Sequence, residues 1–234
     1  MKPVSPKRKF FVLGAIFTVF PLFIYFLSTW EHRHTEVPYF HPREVVTEVN
    51  GEPKVDTVYH TIPEFSFIDQ DSLPYSSDSL KGKIYVADFF FTTCPSICPV
   101  MTAQMNQLYW KLDKSAYKDV HYISYTVNPE YDTPVILKEY AKKNEVNTKR
   151  WRFVTGEKQE IYELGVNGYY LNAQEDALAP GGFLHSDLFV LVDKEGHIRG
   201  YYDGTSSEDI RTLAGDIAML IASYKRKAKE NERS

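Results

Sequence analysis

Residues 83–99, KIYVADFFFTTCPSICP, join an apolar run to a loop with two cysteines. Residues 83–91 are almost continuously apolar, β-branched or aromatic, which is typical of a central strand covered on both faces. Pro99 would interrupt a helix that began at Cys94, but it suits the first turn of a helix whose N-cap is Cys98. The stretch therefore predicts a buried strand, a short cysteine loop and a helix, in that order.

Cys94 and Cys98 are the two cysteines of the chain. A structural disulfide is one interpretation, although closing so short a loop would contribute only about 2 kcal/mol, against about 4.7 kcal/mol for a 100-residue loop. The position after a buried strand is where open α/β sheets place their chemistry. A helix N-terminus at Cys98 would favour its thiolate. Because a thiolate is both a nucleophile and a metal ligand, the pair alone predicts either redox exchange or metal binding.

The flanking segments alternate between strands and helices. Strands are predicted at residues 65–68, 120–127, 151–154, 187–192 and 197–202, the last two as a hairpin. After the cysteine loop, a helix has its apolar side chains, which we expect in the core, at Met101, Met105, Leu108 and Leu112. Asp132 is the predicted cap of a helix that begins at Pro134, a short helix covers 157–164, and a capping box at 205–208 opens the last helix. This order predicts an α/β, thioredoxin-like fold with a central mixed sheet, and a long, functional loop at 169–183.

The N-terminus predicts one transmembrane helix. Residues 10–30 contain no charged side chain, and a helix of that length, rising about 1.5 Å per residue, covers the roughly 30 Å hydrocarbon core of a bilayer. Four basic residues precede it: Lys2, Lys7, Arg8 and Lys9. The positive-inside rule then places residues 1–9 in the cytoplasm and the rest outside. A cleaved signal peptide is the alternative, but the apolar run is long and lacks an A-x-A-like site.

Residues 31–58 mix His, Glu, Arg and Pro without a period and predict a linker. Its histidines, His32, His34 and His41, are interpreted as solvated polar residues. A single globular domain is predicted over 59–225 and a disordered tail over 226–234; we interpret His60, His121 and His197 as structural. From Glu31 onward, 23 basic residues face 31 acidic ones, so the exterior part has a net charge of −8. An acidic domain of this kind disfavours a nucleic-acid partner.

Four segments together resemble the Sco/SenC family, over about residues 60–224. The family's C-x-x-x-C-P loop matches residues 94–99, and its W-x-F-x-T-G segment matches 151–156. Its D-P-x-x-D-T-P segment is similar to residues 128–134, although Asn128 stands where the family has its first Asp. Its metal-binding histidine, just before a strand, falls on His185.

The resemblance implies that Cys94, Cys98 and His185 converge on one copper ion. Soft sulfur ligands suit Cu(I), imidazole accommodates Cu(II), and three ligands leave a position open for transfer. The implied function is that of a membrane-anchored copper chaperone, which delivers copper to the dinuclear copper site of cytochrome c oxidase or reduces its cysteines. The implied partner is the copper-bearing subunit of the oxidase or another copper or thiol protein. The expected location is the inner membrane, single-pass, with the globular domain in the periplasm.

A second interpretation is an enzyme, a thiol:disulfide oxidoreductase of the extracytoplasmic space, in which Cys94 and Cys98 form the redox-active pair. Thioredoxins use C-x-x-C and a cis-proline, whereas this chain has a longer spacing and Leu184-His185 at that place. Asp88 stands six residues before Cys94, as the buried acid of thioredoxins does, and could shuttle protons if it is buried. An Asp facing water at a strand edge is the alternative. A peroxidase is a third interpretation, because such enzymes share the fold, but Thr92-Thr93-Cys94 matches their T-x-x-C motif only in part.

Overall fold

The computed structural model describes residues 17–25, 36–49, 52–113, 115–171 and 186–233, which fall into two units, Met1–Glu36 and Val37–Ser234. In the first unit, residues 17–25 are helical and lie inside the predicted span 10–30. The rest of that span, the predicted cytoplasmic residues 1–9, and His32 and His34 lie outside the described residues. Among the described residues, none of the helices combines the length and the apolar character needed to span a bilayer.

A seven-stranded mixed sheet forms the centre of the second unit. The strands are β1 (Pro42–Val49), β2 (Glu52–Tyr59), β3 (Ser66–Asp69), β4 (Pro74–Ser76), β5 (Ile84–Phe90), β6 (Val120–Thr126), β7 (Trp151–Thr155), β8 (Leu188–Val192) and β9 (Ile198–Asp203). The α-helices of this unit are α1 (Ile97–Lys111), α2 (Pro134–Lys143), α3 (Lys158–Glu163) and α4 (Ser207–Asn231). Seven of these strands form the sheet, in the order β4-β3-β7-β6-β5-β8-β9, and β1 and β2 pair separately with each other.

The cysteine loop follows an interior strand of this sheet. β5 pairs in parallel with β6 and antiparallel with β8, and all seven of its residues are buried. This confirms the central strand predicted at residues 83–91. The apolar face of α1 is also confirmed, because its predicted side chains lie in the core: Met101, Met105, Leu108 and Leu112.

Two segments differ from the predictions. β1 and β2 form an antiparallel hairpin, with Val46 opposite Val55, where a linker without strands was expected. Both of these valines are exposed, so the pattern lacks the apolar and polar alternation that marks a strand with one buried face. At the other end of the chain, α4 continues to Asn231 through the predicted disordered tail.

The base of the hairpin docks on aromatic side chains of the domain. The His41 ring stacks on Tyr170, with 4.1 Å between centroids, and its Nε2 lies 2.8 Å from the Tyr201 hydroxyl. The backbones of His41 and Tyr170 both adopt positive φ angles, of 54° and 52°. Burial, with His60 and Arg43 nearby, lowers the pKa of His41. His41 is therefore a packed residue and not the solvated linker histidine expected from the sequence.

A buried ion pair links β9 to the turn before it, and its arginine also contacts the start of the unit. Arg199 Nη1 lies 2.8 Å from Asp193 Oδ2, and the two side chains are 6% and 0% exposed. Arg199 also donates to the carbonyls of Val37 and Pro38, and its guanidinium lies over the Tyr39 ring. The pair thus fastens residues 37–39, ahead of the hairpin, to the sheet.

Arg199→Met should destabilise the protein by about 3–5 kcal/mol, because it leaves Asp193 as a buried carboxylate without its cation. Urea unfolding at pH 7 measures the loss. The control is Lys54→Met, which removes an exposed partner of Asp56 and should cost less than about 1 kcal/mol. Equal unfolding midpoints for the two variants would contradict the prediction.

Candidate functional site

The cysteine loop lies between β5 and α1, and α1 begins earlier than predicted. Its first residue is Ile97 and its N-cap is Ser96, so the predicted N-cap at Cys98 is wrong. Pro99 remains in the first turn, where a missing N–H costs no helical hydrogen bond. The Ser96 side chain accepts no capping hydrogen bond. The first N–H groups of α1 are therefore available to another acceptor.

That acceptor is the sulfur of Cys94. Burial alone would raise the pKa of Cys94, but the backbone N–H groups of Cys98, Ser96 and Ile97, together with the Cys98 thiol, outweigh burial and lower it. A thiolate at a helix N-terminus is also favoured by the helix dipole. The stabilised thiolate is thus at Cys94, whereas the sequence pattern had favoured Cys98.

Cys98 has the opposite environment, although both cysteines are free thiols with little exposure, 6% for Cys94 and 3% for Cys98. Burial raises the pKa of Cys98 far above its ordinary value, and Cys94 and Asp88 add to the effect, against a hydrogen bond from the Phe91 backbone. Each cysteine contributes to the pKa shift of the other, so the two sulfur groups lie near each other. The pair is therefore asymmetric, because its surroundings favour the thiolate at Cys94 and the protonated thiol at Cys98.

Asp88 is a buried acid near this pair and does not face water at a strand edge, which was the alternative left open by the sequence. Its side chain accepts a 2.5 Å hydrogen bond from Ser124 Oγ, which in turn accepts one from Trp151 Nε1 at 2.8 Å. Burial raises the pKa of Asp88 to about 7, with the Ser124 hydrogen bond opposing the shift. The carboxyl group can therefore change its protonation state near neutral pH.

Asp132 does not cap α2 as predicted. Thr133 is the N-cap residue, without a side-chain capping bond, and Asp132 is fully buried. Its Oδ2 accepts hydrogen bonds from the Thr92 backbone N–H at 3.1 Å and from Thr126 Oγ1 at 2.5 Å, and its Oδ1 accepts one from the Thr92 hydroxyl. Thr92 and Thr126 follow or end neighbouring parallel strands, which meet at one edge of the sheet. The predicted strand order implies this shared edge but not the register that brings Asp132 to Thr92.

His185 lies outside the described residues, in the gap 172–185, so its distance from the cysteines remains a prediction. The chain that follows it lies close to α1. A methyl group built on Gly204 would come within 3.0 Å of both the Asp187 carbonyl oxygen and the Met101 side chain. In addition, β8 runs antiparallel to β5, so the start of β8 lies at the end of the sheet where β5 leads into the cysteine loop.

The described ranges alone contain no group of three or more His, Cys, Asp or Glu side chains that could hold a metal ion. The two cysteines are adjacent there and offer two soft sulfur donors, which suit a soft ion such as Cu(I). The predicted third ligand belongs to the gap. His60 and His197 instead bind backbone carbonyls, of Gly168 and His60 respectively, in the structural roles predicted for them.

Comparison with known proteins identifies the family. A model of the SCO1/SenC family matches residues 54–222. The chain belongs to the SCO1/SenC family. A SCO1 protein homolog of Bacillus subtilis is 34% identical over 171 residues, which cover 71% of this chain and 86% of that protein. The resemblance recognised in the sequence motifs is thereby confirmed.

Solved structures of the family share the fold. BsSco, a member of the Sco family of cytochrome c oxidase assembly proteins in which a disulfide switch has been identified, is 32% identical with a TM-score of 0.62. The alignment covers 71% of this chain and 96% of that one. Arabidopsis thaliana ScoI, solved with copper bound, is 25% identical with a TM-score of 0.56, over 68% of this chain and 96% of that one. The predicted α/β, thioredoxin-like fold of this SCO1/SenC chain, with its central mixed sheet, is confirmed.

Proposed function

We propose that this chain binds copper through Cys94, Cys98 and His185. It delivers that copper to the dinuclear copper site of cytochrome c oxidase during assembly, or reduces the cysteines of that site. The observation that carries the proposal is the pair of neighbouring, buried thiols where β5 leads into α1. Family membership supports it, since BsSco belongs to a family of oxidase assembly proteins and Arabidopsis ScoI binds copper.

The donor set suits copper in both oxidation states. The N–H groups at the start of α1 favour the thiolate of Cys94, and Cys98 supplies a second sulfur beside it. Two sulfur ligands favour Cu(I), an imidazole accommodates Cu(II), and a three-ligand site keeps one position open for transfer to a partner. Burial of both cysteines limits access of water to a bound ion.

The chain around the gap supports His185 as the third ligand. Asp187 follows it by two residues, and both the Asp187 carbonyl and the Met101 side chain lie next to Gly204. Met101 is about one helical turn after Cys98. The start of β8, which His185 precedes, is therefore near α1, and this supports His185 as the third ligand.

We further propose a membrane anchor at residues 10–30, with the copper-binding domain in the periplasm. The charge-free run and the basic residues ahead of it support this orientation. The partner is then the copper-bearing subunit of the oxidase or another copper or thiol protein on the same side. The acidic domain does not suit a nucleic acid.

A thiol:disulfide oxidoreductase is the second candidate. The asymmetry of the pair favours it, because thiol–disulfide exchange needs one thiolate that attacks and a second thiol that stays protonated until it reacts in turn. The buried Asp88 carboxyl, which interacts with Cys98, adds a group able to exchange a proton. The two candidates differ in what they require of His185, which is a ligand in the first and dispensable in the second.

Copper titration of the Val37–Ser234 unit tests the proposal. Reduced wild-type protein should retain one Cu(I) ion per chain against a chromogenic chelator, and show a sulfur-to-copper charge-transfer band with Cu(II). His185→Ala should weaken Cu(I) binding by about 10- to 100-fold and abolish that band. The control is His121→Ala, at the opposite end of β6 from the cysteine loop, which should bind as wild type does.

Two results would decide against the copper carrier. One is a wild-type protein that loses Cu(I) to the chelator as readily as Cys94→Ser does. The other is thiol reductase activity that survives His185→Ala without copper retention, which would favour the oxidoreductase. Equal copper affinity in wild type and His185→Ala would remove His185 from the site.

A further inference from the structure

The buried carboxylate of Asp132 binds three neutral donors. Two of them belong to Thr92, through its backbone N–H and its hydroxyl, and the third is the hydroxyl of Thr126. Thr126 Oγ1 also accepts the backbone N–H of Asn128 at 3.0 Å. Together these hydrogen bonds connect the chain after β5 to the chain after β6.

Thr92 stands two residues before Cys94, at the start of the cysteine loop. The loop continues in a turn in which the Cys94 N–H donates to the Phe91 carbonyl at 3.2 Å. Fixing Thr92 by both its backbone and its side chain limits how far Cys94 can move from the first turn of α1. Cys98 is already fixed, because it lies within α1 and is buried.

We propose that Asp132 is a positioning residue for the cysteine pair. Acting through Thr92, it holds Cys94 against the N–H groups of α1 and beside Cys98, so that the two sulfurs are prearranged for a shared ion or a mutual disulfide. This inference rests on the proposed function only in taking the cysteine pair as the working site. The role that it assigns to Asp132 and Thr92 is neither that of a helix cap nor that of a metal ligand.

The test is the thiol–disulfide equilibrium of the full chain in detergent, in glutathione buffers without copper. Cys94 and Cys98 give up two electrons and two protons as their disulfide forms, and one glutathione disulfide is reduced to two glutathione molecules. Thr92→Val and Asp132→Ala should each lower the equilibrium constant for disulfide formation about tenfold, equal to about 30 mV. The reason is that a loosened Cys94 meets Cys98 less often.

Two matched variants separate positioning from general stability. Asp132→Asn should stay within about twofold of wild type, because its amide oxygen can accept from Thr92 N–H and Thr126 while its NH₂ donates to the Thr92 hydroxyl. Thr205→Val removes a similar threonine-to-aspartate bond, to Asp203 at 2.6 Å, ahead of α4. It should leave the equilibrium unchanged, whatever its effect on the melting temperature.

A wild-type equilibrium constant in Thr92→Val would overturn the inference, even if Asp132→Ala fails to fold. So would a shift in Thr205→Val as large as that in Thr92→Val. Because the measurement contains no copper, it is independent of the copper proposal. A protein that binds no copper but shows the predicted shift refutes the proposed copper site and supports the role of Asp132, and the reverse result does the opposite.

Discussion

Asp88→Asn is expected to stabilise the reduced protein by up to about 4 kcal/mol at pH 8 and to leave its stability near pH 4 almost unchanged. The pKa of Asp88 is raised by burial from 3.8 to about 7 in the folded protein. The folded state therefore binds this proton more tightly than the unfolded state. The resulting stability is fully present below pH 3.8 and is lost as the pH rises to about 7.

Asparagine isolates this effect because it cannot ionise and can still accept the hydrogen bond from Ser124. Urea unfolding at pH values from 4 to 8, followed by tryptophan fluorescence, gives the free energy of unfolding of both proteins. The difference between them should grow by about 1.4 kcal/mol for each pH unit between 4 and 7 and then level off. Parallel curves for the two proteins would show that Asp88 does not titrate in this window. Asp56→Asn, at an exposed position, is the control for the substitution itself.

Asp88 also shows what could be predicted from the sequence and what could not. The apolar run at residues 83–91 predicted a strand covered on both faces, and such a strand has no solvent-facing side for an aspartate. The sequence nevertheless left open whether Asp88 is buried or faces water at the edge of the strand. In the structure all of β5 is buried, Asp88 included. The cysteine loop and the helix after it were also predictable, because the signals for both lie within one short stretch of sequence.

The features that the sequence did not predict depend either on contacts between distant residues or on elements that lack a buried apolar face. The bond from Asp132 to Thr92 requires the parallel register that places Phe90 beside Thr126, which no local pattern contains. The β1–β2 hairpin has valines on exposed faces, so it lacks a period. The end of α4 is rich in Lys, Arg, Ala and Glu, which favour helix by propensity without an apolar stripe. An element with a buried face can thus be predicted from sequence, because burial imposes the apolar pattern that marks it.

At pH 7, the Cys94 thiol in Cys98→Ser should react with iodoacetamide on the order of 100 times faster than the Cys98 thiol in Cys94→Ser. The thiolate is the reacting species. The N–H groups at the start of α1 outweigh burial and lower the pKa of Cys94, whereas burial raises that of Cys98. Raising the pH towards 9 should therefore accelerate Cys98 more than Cys94, since the pKa of Cys98 is raised far above this range and that of Cys94 is lowered. Mass spectrometry of timed samples gives both rates.

The same variants in 8 M urea provide the control. Unfolding removes both the N–H groups around Cys94 and the burial of Cys98, so the two rates should come within about twofold of each other. Faster alkylation of Cys98 than of Cys94 in the folded protein would contradict the assigned asymmetry. Because a thiolate serves both as a nucleophile and as a metal ligand, either candidate function would then have to begin at Cys98. A difference that persisted in urea would instead assign the asymmetry to local sequence, and the fold around α1 would no longer explain it.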